Sequence, residues 1–220
     1  METLDLRKEM KAFYAPSAKQ PEIIDVPEFQ FAVIDGRIEP GSEPGLSPAF
    51  AQALAALYGI SYTLKFNSKQ GVGGAMAAID SMAAIDYPVM PLEALWWIED
   101  GEFSLERKDN WVWSARIMQP AHISAEMFAQ GVAKLRKKRG DSPALELLRL
   151  ERFHEGLAVQ MMHIGPYSQE PATVAKMDAL IAAKGYVKRG KHHEIYLGDP
   201  LRADPEKLKT VLRHPIIKGE

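Results

Sequence analysis

The chain is predicted to be an α+β protein built by tandem duplication of a strand-helix-strand-strand unit. Two antiparallel sheets, each backed by a helix, would then meet around a pseudo-twofold ligand cleft. Three observations lead there. Residues 32–59 laid over 158–185, at a constant offset of 126 and without a gap, give ten identities in 28 positions, and a repeat constrains architecture more firmly than local propensity does. Four of the ten are Ala pairs in Ala-rich stretches and weigh little; Ile38/Ile164, Pro40/Pro166 and Gly59/Gly185 weigh more. Each copy also opens on an apolar, β-leaning stretch with a Pro/Gly-rich exit, and each then carries apolar residues at helical spacing.

In chain order, FQFAVID and GLAVQMMHI read as the first strands, left through the turns IEPGSEPG and IGPYSQEP. Phe50, Leu54 and Leu57 in one copy, and Val174, Met177 and Ile181 in the other, mark an amphipathic helix closed by Gly59 or Gly185. After that glycine the first copy continues through YTLKF, a Gly/Ala-rich stretch, YPVMPLEALWWI and WVWSARIM; the second continues through YVKR, KHHEIYL and LKTVLRHPI. Gly59 lies 34 positions before Glu93 but Gly185 only nine before Glu194, so an insertion is expected at about 61–86, over one mouth of the cleft. The organisation is therefore a single domain over 1–220, with a first repeat over 25–120, a connecting helix in 121–145 and a second repeat over 146–217.

Composition excludes several function classes. With no Cys there is neither a disulfide framework nor a cysteine-based zinc, iron–sulfur or thiol site. Twenty-seven basic against 29 acidic residues leave a formal charge of −2, which gives no general attraction to nucleic acid or anionic membrane. The basic run Lys134–Arg139 reads as a solvated helix end. No apolar run reaches membrane length, and the polar start METLDLRKEMKAFY is unlike a signal peptide, so a cytoplasmic location is expected. His192 and His193 are adjacent and diverge on a strand, so neither metal nor cofactor is expected. Gly71-Val72-Gly73-Gly74 lacks the Lys-Ser/Thr of a phosphate loop and reads as a flexible segment.

Chemistry is expected where carboxylates meet aromatics. Side chains alternate along a strand, so KHHEIYL places His192, Glu194 and Tyr196 on one face, and PLEALWWI places Glu93, Leu95 and Trp97 on one face with Ala94 and Trp96 on the other. Glu93 and Glu194 are expected to approach one cleft from opposite sides, where poor solvation suits a carboxylate to proton transfer or to a cationic ligand. Trp96, Trp97, Trp111 and Trp113 are concentrated enough to stack on a flat ligand, although core packing accounts for part of such a group. Tyr167 and Glu170 lie in the second exit turn, after His163 at the end of its strand, and can reach the rim.

The runs LRLERFHEGLAVQMMHIGPYSQEP, KGYVKRGKHHEIYLGDPLRADPEKLKTVLRHPI and YPVMPLEALWW resemble the GyrI-like small-molecule-binding family, most strongly over about 150–217 and 87–97. GKHHEIYLGDP is characteristic of a stand-alone branch resembling cyclopropanoid cyclopropyl hydrolases, which add water to the strained ring of DNA-alkylating compounds. The resemblance implies a bulky aromatic or cationic ligand, and detoxification by hydrolysis. It also implies Glu194 as acid–base residue, Glu93 as second carboxylate, Tyr167 or Tyr196 as oxyanion donor, and Trp96, Trp97 and Trp113 as walls. Tyr196, His163 and Glu170 complete the expected ligand-binding set. Leu95 stands where the second copy has Tyr196, so the two carboxylates are expected to differ in role. The rival reading is a non-catalytic drug or effector binder. Residues 1–24 are too short for a helix-turn-helix domain, so no direct nucleic-acid partner is expected, and the oligomeric state is expected to be a monomer or weak homodimer. Inhibition of DNA gyrase rests on the family label alone.

Overall fold

Six antiparallel strands close on themselves in the computed structural model of the chain, which describes residues 2–39, 41–42, 45, 47–71, 84–100, 103, 105, 110–200 and 202–219. The first half supplies β1 (Glu22–Arg37), α1 (Pro48–Lys69), β2 (Leu92–Trp97) and β3 (Val112–Gln119). After α2 (Ala125–Arg139) the second half supplies β4 (Arg149–Ile164), α3 (Glu170–Ala183), β5 (Tyr186–Lys188), β6 (His192–Tyr196) and β7 (Lys209–Lys218). The strands run β4-β1-β3-β2-β6-β7, a β4–β7 pairing closes the ring, and β5 extends the end of β7. The α+β class and the strand-helix-strand-strand order are as expected, and the two sheets are continuous at two seams, β2–β6 and β1–β4.

Closure divides each strand into a lumen face and an outer face, and the helices cover the outer face. The ungapped offset of 126 does not survive as a structural register. Ala32 pairs with Ile117 on the helix-covered face, whereas Ala158 shares the lumen face with Gln160 and Arg213. Gly156, at φ 71°, interrupts the alternation of β4 and shifts its parity by one.

Ser47 caps α1 by accepting from Phe50 N at 3.2 Å, and Pro48 occupies its first turn. The helix does not end at Gly59, and YTLKF is not a strand: both lie within α1 because Leu57, Ile60 and Leu64 continue its fully buried face. Gly59 instead marks a close crossing. A Cβ there would sit 3.1 Å from the side chains of Leu135 and Arg139 on α2, and one at Gly131 would sit 2.9 Å from Ile60 Cδ1. Residues 61–69 of the expected insertion are therefore helix, 84–86 lead into β2, and 72–83 lie outside the described residues, as do Val72, Gly73 and Gly74. The second copy follows the sequence reading more closely, α3 stopping before Gly185 at φ 67°. Lys137, Lys138 and Arg139 are exposed at the end of α2. No helix among the described residues is long and apolar enough to cross a membrane.

The lumen is held by ions. His193, 1% exposed, has Nε2 at 3.0 Å from Glu93 and Nδ1 at 3.0 Å from both oxygens of Glu155. Arg213 donates to Glu155 at 3.1 Å and to Gln160 at 2.9 Å, and also to the carbonyl of Phe13 at 2.5 Å. Tyr14, from the single-turn helix Lys11–Tyr14, donates to Glu93 at 2.5 Å, and Gln160 donates to the carbonyl of Ala12 at 2.8 Å. Burial opposes charge on His193, but the carboxylates on both ring nitrogens outweigh it and raise its pKa. Burial likewise opposes ionisation of Glu155, and His193 with Arg213 outweigh it, holding the carboxyl down to about 2.

These two shifts set a pH window. Glu155, depressed, contributes stability above the unfolded carboxyl range and loses it as pH falls toward about 2. His193, raised, contributes fully below its unfolded pKa of about 6.5 and loses that contribution as pH rises through its folded value. Glu155→Gln should cost about 3–5 kcal/mol at pH 6, because it leaves Arg213 and His193 buried without their shared counter-charge. Denaturant unfolding between pH 3 and 9 checks this; a stability profile as steep in the variant as in the parent contradicts it.

Candidate functional site

On the outer face of the β2–β6 seam, between α1 and α3, lies a cleft of about 1120 Å³. Its floor is built from alternate residues of the paired strands: Leu92 lies opposite Tyr196, Ala94 opposite Glu194, and Trp96 opposite His192. Glu194 accepts from Tyr196 Oη at 2.7 Å, Tyr196 accepts from Trp96 Nε1 at 3.0 Å, and His192 Nε2 lies 3.3 Å from the second oxygen of Glu194. A buried carboxylate is thus fixed by its own strand on one side and joined to a tryptophan of the other half.

Aromatics form the walls. Trp96 packs against Trp111 at 5.3 Å between ring centroids and stacks on Phe50 at 5.8 Å, while Tyr167 meets Tyr196 edge-on at 6.0 Å. Phe50, Leu54 and Tyr58, four residues apart on α1, present one face of that helix to the cleft. Glu170, at the start of α3 and buried, lines the same space, as do Asp199 and, from the N-terminal segment, Arg7 and Tyr14. Burial first, then Glu194, Glu170 and Asp199, push the Tyr167 phenol up to about 12. Burial and Glu194 raise Tyr196 further still. Both phenols remain O–H donors across the physiological range.

The expected residues separate into two groups. Glu194, Tyr196, Trp96, Tyr167 and Glu170 come together in the cleft. Glu93 does not: it pairs with Ile195, one residue out of phase with Glu194, and points into the lumen toward Tyr14 and His193. The expectation that the two glutamates face each other fails because residues directly opposite in an antiparallel pair share a face, and Glu194 is opposite Ala94. Trp97 points away from the cleft with Glu93, its ring covered by Lys191 Nζ at 3.3 Å. Trp113 is core: it lies edge-on to Phe50 at 5.0 Å and against Gly36, where a Cβ would come within 2.2 Å of its ring. His163 sits behind α3, with Nδ1 2.9 Å from Thr173 Oγ1 and Nε2 3.1 Å from the carbonyl of Pro166. No cluster of three or more potential metal ligands occurs among the described residues.

Sequence reasoning passed over Phe50, Leu54 and Tyr58 as a cleft-facing set, although their four-residue spacing was visible. Tyr14, Glu155 and Arg213 offered no such signal, since their partners lie far away in the chain.

Residues 19–217 match the family model described as a GyrI-like small molecule binding domain. Three crystal structures from Listeria innocua resemble the chain over nearly its whole length. An uncharacterized conserved protein is 39% identical, covering 97% of this chain and 100% of its own, with a TM-score of 0.82. Two proteins described as hydrolases are each 37% identical, covering 97% and 98% of this chain and 100% of their own, with TM-scores of 0.79 and 0.81. The C-terminal domain of EcmrR, 12% identical over 90% of this chain and 98% of its own, shares the fold at a TM-score of 0.51. Among curated proteins no sequence matches.

The geometry distinguishes two tryptophans by experiment. Trp113→Leu should lower stability by about 2–4 kcal/mol, as large-to-small core changes do, with little effect on ligand affinity in the folded fraction. Trp96→Leu should weaken binding of a planar cation such as ethidium by at least about tenfold, since stacked aromatics dominate such contacts. Denaturant unfolding and ethidium titration of both variants provide the check; equal loss of affinity in the two would place Trp113 in the wall after all.

Proposed function

The chain belongs to the GyrI-like small-molecule-binding family, and from that premise we propose that its cleft binds bulky, flat aromatic compounds and hydrolyses cyclopropanoid alkylating agents among them, a detoxifying reaction. The observation that carries the reading is the buried Glu194 carboxylate, which accepts from Tyr196 on the floor of an aromatic cleft large enough for a drug-sized polycycle. The hydrolases of Listeria innocua with matching folds support it.

The reaction asks little of the protein. A flat dienone stacked on Trp96 and Trp111 presents its cyclopropane to a water molecule beside Glu194. Glu194 takes a proton as the water oxygen bonds to a ring carbon. The strained carbon–carbon bond breaks, and its electron pair passes through the dienone to the carbonyl oxygen, which becomes a phenolate. Tyr167, kept protonated by its setting, donates to that oxygen. Return of the proton from Glu194 gives a phenol, so the product is substrate plus water. Glu93 takes no part in these steps; from the lumen it positions His193, the chain neighbour of Glu194.

A binding protein without turnover is the second reading. Tyr196 fixes one oxygen of the Glu194 carboxylate, and the other lies 3.3 Å from His192 Nε2 without a hydrogen bond between them, an arrangement that equally suits a fixed counter-charge for a cationic ligand.

Incubation with a cyclopropane-bearing dienone alkylator, followed by mass spectrometry, separates the two. A water adduct formed at a rate proportional to protein supports hydrolysis; saturable binding with no adduct supports the second reading. Glu194→Gln should reduce turnover by at least about 100-fold with affinity retained. Tyr167→Phe should reduce kcat by about 100-fold with KM little changed.

A further inference from the structure

Two residues along β2 from Glu93, Leu95 lines a separate recess of about 230 Å³ that opens on the lumen side, away from the aromatic cleft. Its lining cations are Arg116, Arg149, Arg189 and Lys191, and its lining acids are Asp35, Glu151 and Glu155. The acids are already engaged: Arg149 holds Asp35 at 2.9 Å and Glu151 at 2.7 Å, and Glu155 belongs to His193 and Arg213.

Three cations remain. Arg116 is 2% exposed, its guanidinium carbon 4.7 Å from the ring centre of Phe153 and 5.3 Å from that of Phe31. Nη2 donates to Ser114 Oγ at 2.8 Å, while Nε and Nη1 meet no hydrogen-bond acceptor. No carboxylate among the described residues lies within ion-pair distance of it. Among the described residues Arg189 donates only to neutral carbonyls, of Glu155 at 2.6 Å and Ile216 at 3.2 Å. That approach depends on the glycine at 156, where a Cβ would come within 3.1 Å of Nη2. Lys191 rests over Trp97.

A buried guanidinium with unused N–H groups is costly unless an acceptor meets it, and charge-assisted bonds to oxyanions are the strongest such acceptors. We propose that this recess is a second ligand site, taking a small metabolite whose carboxylate or phosphate group bonds Arg116 while Arg189 and Lys191 neutralise it from the rim. Two flanking phenyl rings hold the Arg116 plane in place, which fixes its donors before the ligand arrives. The volume suits a compound of a few carbons and is below that of typical drug-sized pockets.

Calorimetric titration of the full chain at low ionic strength, with inorganic phosphate and separately with succinate, tests the site and distinguishes the two head groups. Saturable binding at one anion per chain in either arm is expected. Arg116→Met should weaken it by at least about tenfold, the effect of losing bonds to a charged donor. Because Arg116 is buried, Lys191→Gln provides a second variant at a partly exposed position, with a loss of about threefold to tenfold expected from one fewer rim charge. Absence of saturation in both arms, or parental affinity in a folded Arg116→Met or Lys191→Gln protein, would overturn the proposal.

Discussion

His193 between Glu93 and Glu155 is the interaction on which the rest of the molecule depends. It joins β6 to β2 and β4 across the lumen, so that one imidazole ties both halves of the duplication together. Arg213 and Gln160 extend the network to the carbonyls of Phe13 and Ala12, and Tyr14 completes it at Glu93. The N-terminal segment is thereby fastened over the barrel, where Arg7, Tyr14 and Ala15 also form part of the cleft wall. A buried ionic cluster of this kind is weak evidence of net stability, because desolvation offsets much of its Coulombic gain. Its effect is on geometry: any member left alone is expensive, so all must be present together.

The same strand serves both compartments. His193 points inward and Glu194 outward, one residue apart, and the hydrogen bonds of β6 to β2 and β7 hold both. A carboxylate mounted mid-strand in a closed sheet has little freedom to move, and Tyr196, two residues on, shares its face and donates to it. A lumen that holds its charges rigidly therefore also positions the cleft.

The halves have diverged in what covers them. α1 is long and packs on α2 through the close approach at Gly59 and Gly131, forming a two-helix layer behind Phe50 and Trp113. α3 covers its half over a smaller apolar cluster that includes Met161, Met177 and Leu212. The cleft between them takes its apolar wall from the first half and its carboxylates, Glu194 and Glu170, from the second.

By itself the sequence determined the α+β class, the order strand-helix-strand-strand in both copies, and the shared face of Glu194 and Tyr196. These follow from short-range periodicities: alternation along a strand, helical spacing, and turn chemistry that the neighbouring residues specify. Tertiary structure alone decided that the sheets close, that Glu93 and Trp97 face the lumen, that Trp113 is core, and that α1 continues through Gly59. Each of these depends on strand register or helix crossing. A shift of one residue in pairing sends a side chain to the opposite face, and a glycine reads as a helix stop until the partner helix that requires it is in place. Which glutamate faces a ligand is therefore set by its partner across the β2–β6 seam, a pairing about 100 residues apart in the chain and silent in local pattern.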